Sequence, residues 1–174
     1  MIATRPETAA DHDAIASVVA RAFGSPAEAA LVDAIRASPN YVPTWSLVAT
    51  IDGNVVGHVM ASYVTLRDGD TDHRIPSLSP LAVDPDAQRR GIGGALVRAL
   101  TATVEAEREP LIVLEGSPGY YSRFGFEFAV PFGITITLPD WAPPEAAQVL
   151  RLKEYDPAVR GHVVFPPAFD PFTH

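Results

Sequence analysis

The sequence has no cysteine among its 174 residues, which excludes disulfides, thiolate metal sites and a cysteine nucleophile. Its only lysine is Lys153, so a nucleotide-triphosphate loop of the GxxxxGK[ST] kind is excluded as well. No stretch approaches the roughly 20 apolar residues of a membrane span, and Met1-Ile2-Ala3-Thr4-Arg5-Pro6-Glu7 lacks the apolar centre of a signal peptide. The expected location is the cytoplasm. There is no internal repeat and no low-complexity segment. Positive charge is scarce: 13 basic against 21 acidic residues give a net charge of −8. That balance argues against nucleic acid or an anionic membrane as a partner and favours the approach of cations, over the roughly 8–10 Å that physiological salt allows.

With 47% hydrophobic and 20% charged residues, the chain fits one globular domain over residues 1–174, long enough to bury about 70% of its unfolded surface. Seventeen prolines predict many turns. Ile2 to Arg5 reads as a strand, and Asp11 as the cap of a helix with Ile15, Val18, Val19, Ala22 and Phe23 inward. Ser25-Pro26-Ala27-Glu28 has capping-box spacing and opens a second helix, with Leu31, Val32 and Ile35 inward and Ser38-Pro39 at its end. Trp45 to Ile51 and Val55 to Thr65 read as a hairpin turning at Asp52-Gly53-Asn54, followed by a polar loop from Arg67 to Arg74. After residue 130, Gly133 to Leu138, Ala147 to Leu152 and Gly161 to Phe165 read as strands, with Trp141-Ala142-Pro143-Pro144 as a loop.

The most informative stretch is Leu78 to Leu100. Leu78, Leu81, Ala82 and Val83 form a short apolar strand closed by the turn Asp84-Pro85-Asp86. From Ile92 the apolar positions Ile92, Ala95, Leu96, Ala99, Leu100 and Val104 mark one helical face. Between strand and helix, Arg89, Arg90, Gly91, Ile92, Gly93 and Gly94 offer unpaired N–H groups at the positive end of a helix, which is an anion site. Each such dipole contact contributes only about 0.3–1 kcal/mol, so a pyrophosphate needs several donors and the arginines together. A dinucleotide fingerprint starting at Gly91 fails because its last glycine is replaced by Leu96.

Gln88-Arg89-Arg90-Gly91-Ile92-Gly93 fits [QR]-x-x-G-x-[GA] and resembles the pyrophosphate motif of the GNAT superfamily of acyl-CoA-dependent N-acyltransferases. A second element, Tyr120-Tyr121-Ser122-Arg123-Phe124-Gly125-Phe126, follows the apolar strand Leu111-Ile112-Val113-Leu114. Ser117-Pro118 is a helix start and Gly125 a stop, and the element resembles the family's Y-x-x-x-G-F. The resemblance covers roughly residues 1–130. It implies an α/β (α+β) fold, a mixed, splayed central sheet with helices on both faces, and residues 131–174 as an extension. It also implies acetyl-CoA as acyl donor, with Leu81, Ala82 and Val83 along the pantetheine arm and residues Gln88 to Gly94 on the pyrophosphate. Tyr121 would protonate the departing thiolate.

The expected reaction is direct acetyl transfer to a primary amine, with main-chain N–H groups near Leu81 to Val83 on the oxyanion. A non-catalytic acyl-CoA sensor is the competing reading. Homodimerisation stays open, and the acceptor amine is unread. Glutamate is absent at Ser77 and Ser79, where some members of the family carry the base, so the base is unassigned. His12, His58, His73, His162 and His174 show no metal-ligand spacing, and no metal is expected. Asp68, Asp70 and Asp72 lack the glutamate of a calcium loop at Ser79 and read as a solvated turn. Capping-box spacing accounts for Glu28.

Overall fold

The computed structural model describes residues 1–173; His174 lies outside them. The chain divides into two compact units, residues 1–62 with 78–103, and residues 63–77 with 104–174. No described helix is long and apolar enough to cross a membrane.

In the first unit, β1 (Ile2–Pro6) pairs antiparallel with β2 (Tyr41–Ile51), which pairs antiparallel with β3 (Asn54–Asp68). The β2–β3 turn is the expected hairpin, with Asp52 and Gly53 both at positive φ. β4 (Thr71–Val83) enters this unit at Leu78. The helices are α1 (His12–Phe23), α2 (Ala27–Arg36) and α3 (Ile92–Ala106). Strand alternation separates them onto the two faces of β3. A β-carbon on Gly57 would meet Leu96 Cδ1 at 2.9 Å and Ile92 Cγ2 at 3.0 Å, so α3 packs closely on that face. His58 points the other way, where Ser46 links it to Glu7 and thence to Arg36 of α2 and His12 of α1.

In the second unit, β5 (Leu111–Glu115) meets β4 in parallel at Ser77 opposite Val113, and pairs antiparallel over its whole length with β8 (Ala147–Arg151). α4 (Pro118–Tyr121) lies between β5 and β6 (Glu127–Phe128), which joins the other side of β8. β7 (Ile134–Thr135) pairs in parallel with β9 (Gly161–Val164), which pairs with β3 at Thr65 to Arg67. Residues past 130 are integral here: Ile134, Ile136, Ala147, Val149 and Val163 share a core with Leu66, Ile75, Leu111 and Val113.

Four local expectations are corrected. Asp11 precedes α1 without a side-chain cap bond; its carboxylate instead takes the Thr8 N–H at 2.8 Å and pairs with Arg5 at 2.7 Å. The capping box at Ser25 does not form, because the Ser25 N–H is spent on the Ala20 carbonyl at the end of α1. The polar loop from Arg67 to Arg74 is strand on both sides of a short turn, and Arg67 grips Asp72 across it. Only Ile134–Thr135 of the expected strand Gly133 to Leu138 is paired.

Candidate active site

β4 delivers Leu81 and Val83 half-buried and Ala82 buried. Asp84 donates its N–H to the Val56 carbonyl of β3 at 2.8 Å. Successive amides of an extended strand point to opposite edges, so the Val83 N–H is aimed away from β3. On that edge the Val83 carbonyl accepts the side-chain amide of Gln88 at 3.3 Å. Gln88, expected among the anion ligands, thus ties the loop back to its strand.

The acids of the turn are tied down by one arginine. Asp84 accepts the Asp86 N–H at 2.9 Å, and Arg21 of α1 holds the Asp84 and Asp86 carboxylates at 2.7 and 2.9 Å. Two acids that would repel a phosphate are both held by the one guanidinium, which offsets half their charge, while Arg89 and Arg90 stand exposed beyond them and add two positive charges. Arg89 at φ 66° and Gly91 at φ 79° are left-handed, and such changes of hand turn neighbouring amides toward one concave side. α3 starts at once. An early backbone bond runs from Ala95 to Gly91 at 3.0 Å, so the N–H groups of Ile92, Gly93 and Gly94 precede the helical ladder at its positive end. The structure therefore brings Leu81 to Gly94 into one continuous strand–loop–helix.

Tyr121 belongs to the second unit. The Ser117 carbonyl accepts the N–H groups of Tyr120 and Tyr121 at 3.2 and 3.1 Å, while the Ser117 side chain makes no cap bond. A tighter turn over Ser122–Phe124 follows, and Gly125 stops it at φ 91°. The Tyr121 ring packs edge-on against Phe126, with centroids 5.7 Å apart, and lies against Gly116. Burial pushes its hydroxyl up to about 12, with Tyr120 adding to the shift. The phenol therefore stays protonated across the neutral range, as a donor must. Tyr120 instead packs edge-on against Phe124 and carries the Arg123 guanidinium 4.6 Å above its ring.

The sequence model of the Acetyltransferase (GNAT) domain family matches residues 3–129. The chain belongs to the GNAT family. Among its relatives, the uncharacterized N-acetyltransferase YhbS of Escherichia coli K12 is 34% identical over 86% of this GNAT chain and 87% of its own. The uncharacterized N-acetyltransferase YjhQ of the same strain is 33% identical over 67% of this chain and 65% of its own. The crystal structure of E. coli YhbS in complex with CoA superposes with TM-score 0.87 at 32% identity, covering 98% of this chain and 93% of that one. A GNAT acetyltransferase of Brucella melitensis in complex with acetyl-CoA gives 0.77 at 31%, over 98% and 99% of the two chains.

The GNAT chain also holds a buried polar cluster that the sequence reading missed. Glu7, with its side chain 2% exposed, accepts Arg36 at 2.8 Å, Tyr41 at 3.3 Å and the Ser46 hydroxyl, and lies 3.2 Å from His12 Nε2. Ser46 Oγ is 2.9 Å from Nε2 of the fully buried His58. Burial pushes His58 down to about 4; Glu7 pulls the other way and Arg36 adds to the fall. Its signal was available: Ser46 and His58 are polar residues inside apolar strands. Glu28, freed from its expected cap, keeps Oε2 buried with no partner.

Proposed function

We propose that the protein transfers the acetyl group of acetyl-CoA to a primary amine by direct attack. The observation that carries this reading is the Asp84–Gly94 loop: both its acids are engaged by Arg21, its backbone is curled, and it opens onto free N–H groups at the start of a 15-residue helix. Relatives with the same fold are complexes with CoA and acetyl-CoA. On this reading Arg89, Arg90, Gly91, Ile92, Gly93 and Gly94 hold the pyrophosphate, with Gln88 bracing the loop. Leu81, Ala82 and Val83 line the pantetheine arm, and the outward Val83 N–H is the donor for the oxyanion. Tyr121 returns a proton to sulfur.

The nucleophile must be a neutral amine, and deprotonating one of pKa about 10.4 at pH 7 costs roughly 4–5 kcal/mol. Without cysteine there is no thiol to carry an acyl-enzyme. The whole of residues 1–174 works as one acyl-CoA-binding domain, cytoplasmic, with neither nucleic acid nor membrane as partner. The test is CoA release from acetyl-CoA across a panel of primary amines: polyamines, aminoglycosides, aralkylamines and peptide N-termini. Release with at least one amine supports the reading. Acetyl-CoA binding with no release for any amine leaves only a sensor.

A further inference from the structure

The bonding of Ser46 fixes the tautomer of His58. Glu7 is a carboxylate held by Arg36, and carboxylate oxygens only accept, so Ser46 spends its one proton on Glu7. Ser46 Oγ is then free only to accept, and His58 Nε2 must carry a hydrogen. His58 Nδ1 is left as a bare lone pair, buried and without a partner. Leaving a buried acceptor unmade is unfavourable, so its retention calls for an occupant.

Its position is informative. β3 and β4 are antiparallel neighbours, and the Asp84 N–H bonds the Val56 carbonyl, which sets His58 level with Ala82; a β-carbon on the adjacent Gly57 would lie 3.2 Å from the Ala82 carbonyl. Ala82 is the centre of the Leu81–Val83 segment assigned to the acyl arm. At the other end, Glu7 Oε2 lies beside His12, whose side chain is 39% exposed.

We propose that His58, Ser46 and Glu7 form a proton relay from the acceptor amine to solvent, with a water at His58 Nδ1 joining the amine to the relay. This rests on the amine-acetylation reading above. The ammonium N–H bond breaks toward the water, which passes a proton to His58 Nδ1. The Nε2 proton moves to Ser46 Oγ as Ser46 gives its own to Glu7, and Glu7 releases it to bulk water beside His12. Once the product has left, the path runs in reverse, Glu7 taking a proton from bulk water, Ser46 returning one to Nε2, and the Nδ1 hydrogen leaving through the water to solvent. The amine keeps the electron pair it uses on the acetyl carbon. The groups facing the relay are Glu7, Arg36, His12 and Tyr41. All three relay members act on the amine through water, and are positioning residues.

The experiment compares Ser46→Ala, which leaves His58 in place, and His58→Asn with the unaltered protein, using the primary alkylamine of the panel that releases CoA fastest. At pH 7 both variants are expected to lose about tenfold or more in kcat, with the acetyl-CoA thermal shift unchanged. The loss should shrink as pH rises toward the amine's own pKa, because the amine then arrives neutral. A loss that stays constant with pH marks a structural role and overturns the relay, as does no loss at all. Ring nitrogen NMR should show His58 with hydrogen on Nε2 alone; hydrogen on Nδ1 overturns the relay independently. If the unaltered protein acetylates no amine, the reaction assignment falls and the relay with it. If it does and the variants match it, the relay alone falls.

Discussion

The ring of Tyr121 lies against Gly116: a β-carbon on that glycine would sit 2.7 Å from Tyr121 Cε2 and 3.1 Å from Cδ2. Gly116→Ala must therefore push the ring off its seat. We expect acetyl transfer to fall about tenfold or more, since misplacing a catalytic group by about 1 Å can cost up to 10²-fold. Folding, followed by thermal melting, should change far less.

Removing only the hydroxyl asks the chemical question. Tyr121→Phe is expected to lower kcat by about 10²-fold, at the low end for a general acid because CoA thiolate leaves readily, with acetyl-CoA affinity nearly intact. Tyr120→Phe should change kcat little, its ring being occupied with Phe124 and Arg123. Full activity in Tyr121→Phe removes the general-acid role, and the reverse pattern transfers it to Tyr120.

Acetyl-CoA, but not ATP or NAD, should raise the melting temperature, because a ligand of the native state at 100 times its dissociation constant adds about 2.7 kcal/mol. Gly93→Asp places a carboxylate among the free amides at the start of α3 and should abolish the shift. An unchanged shift in the folded variant would falsify the pyrophosphate assignment.

His58 predicts a pH dependence of stability. Its unfolded imidazole titrates near 6.5 and the folded one near 4. The unfolded chain therefore binds the extra proton first, and stability from keeping the ring neutral is complete above about pH 6.5 and lost as pH falls toward 4. Melting temperatures measured across that window should fall with pH in the unaltered protein and fall less in His58→Asn.

Asp11 works at lower pH. Its hydrogen bond with Arg5, assisted by Thr8, holds the carboxylate well below its ordinary range. Its contribution is present above the unfolded value of about 3.9 and is lost as pH falls below it. Asp11→Asn should cost about 1–2 kcal/mol at pH 7, by urea unfolding, and progressively less below pH 4.

Local rules were enough to read much of this fold and its loop. The start of α3 at Ile92, the stop at Gly125 and the turn at Asp52-Gly53 each follow from the backbone preferences of one or two residues. Where competition entered, those rules failed. Ser25 looked like a box partner for Glu28 until the Ala20 carbonyl claimed its N–H. Arg67 and Asp72 are solvated as read, but composition does not reveal that they face one another across a turn. Ser46 and His58 stand out as polar residues in apolar strands, but their link to Glu7 does not, because Ser46 is 39 residues from Glu7 in the chain. Gln88 belongs to the motif, but its bond to the Val83 carbonyl depends on how the loop folds back on its strand, which the motif does not state.

The interleaving of the two units bears on how the chain is born. The first is built from residues 1–62 and 78–103, and the second from 63–77 and 104–174. During synthesis the first unit lacks only the last residues of α3 once residue 103 clears the ribosome. Leu66 and Ile75, made early, wait for Ala147, Val149 and Val163 to cover them. In that interval an apolar stretch of β3 and β4 stands uncovered on the nascent chain, a natural point for a holding chaperone to engage.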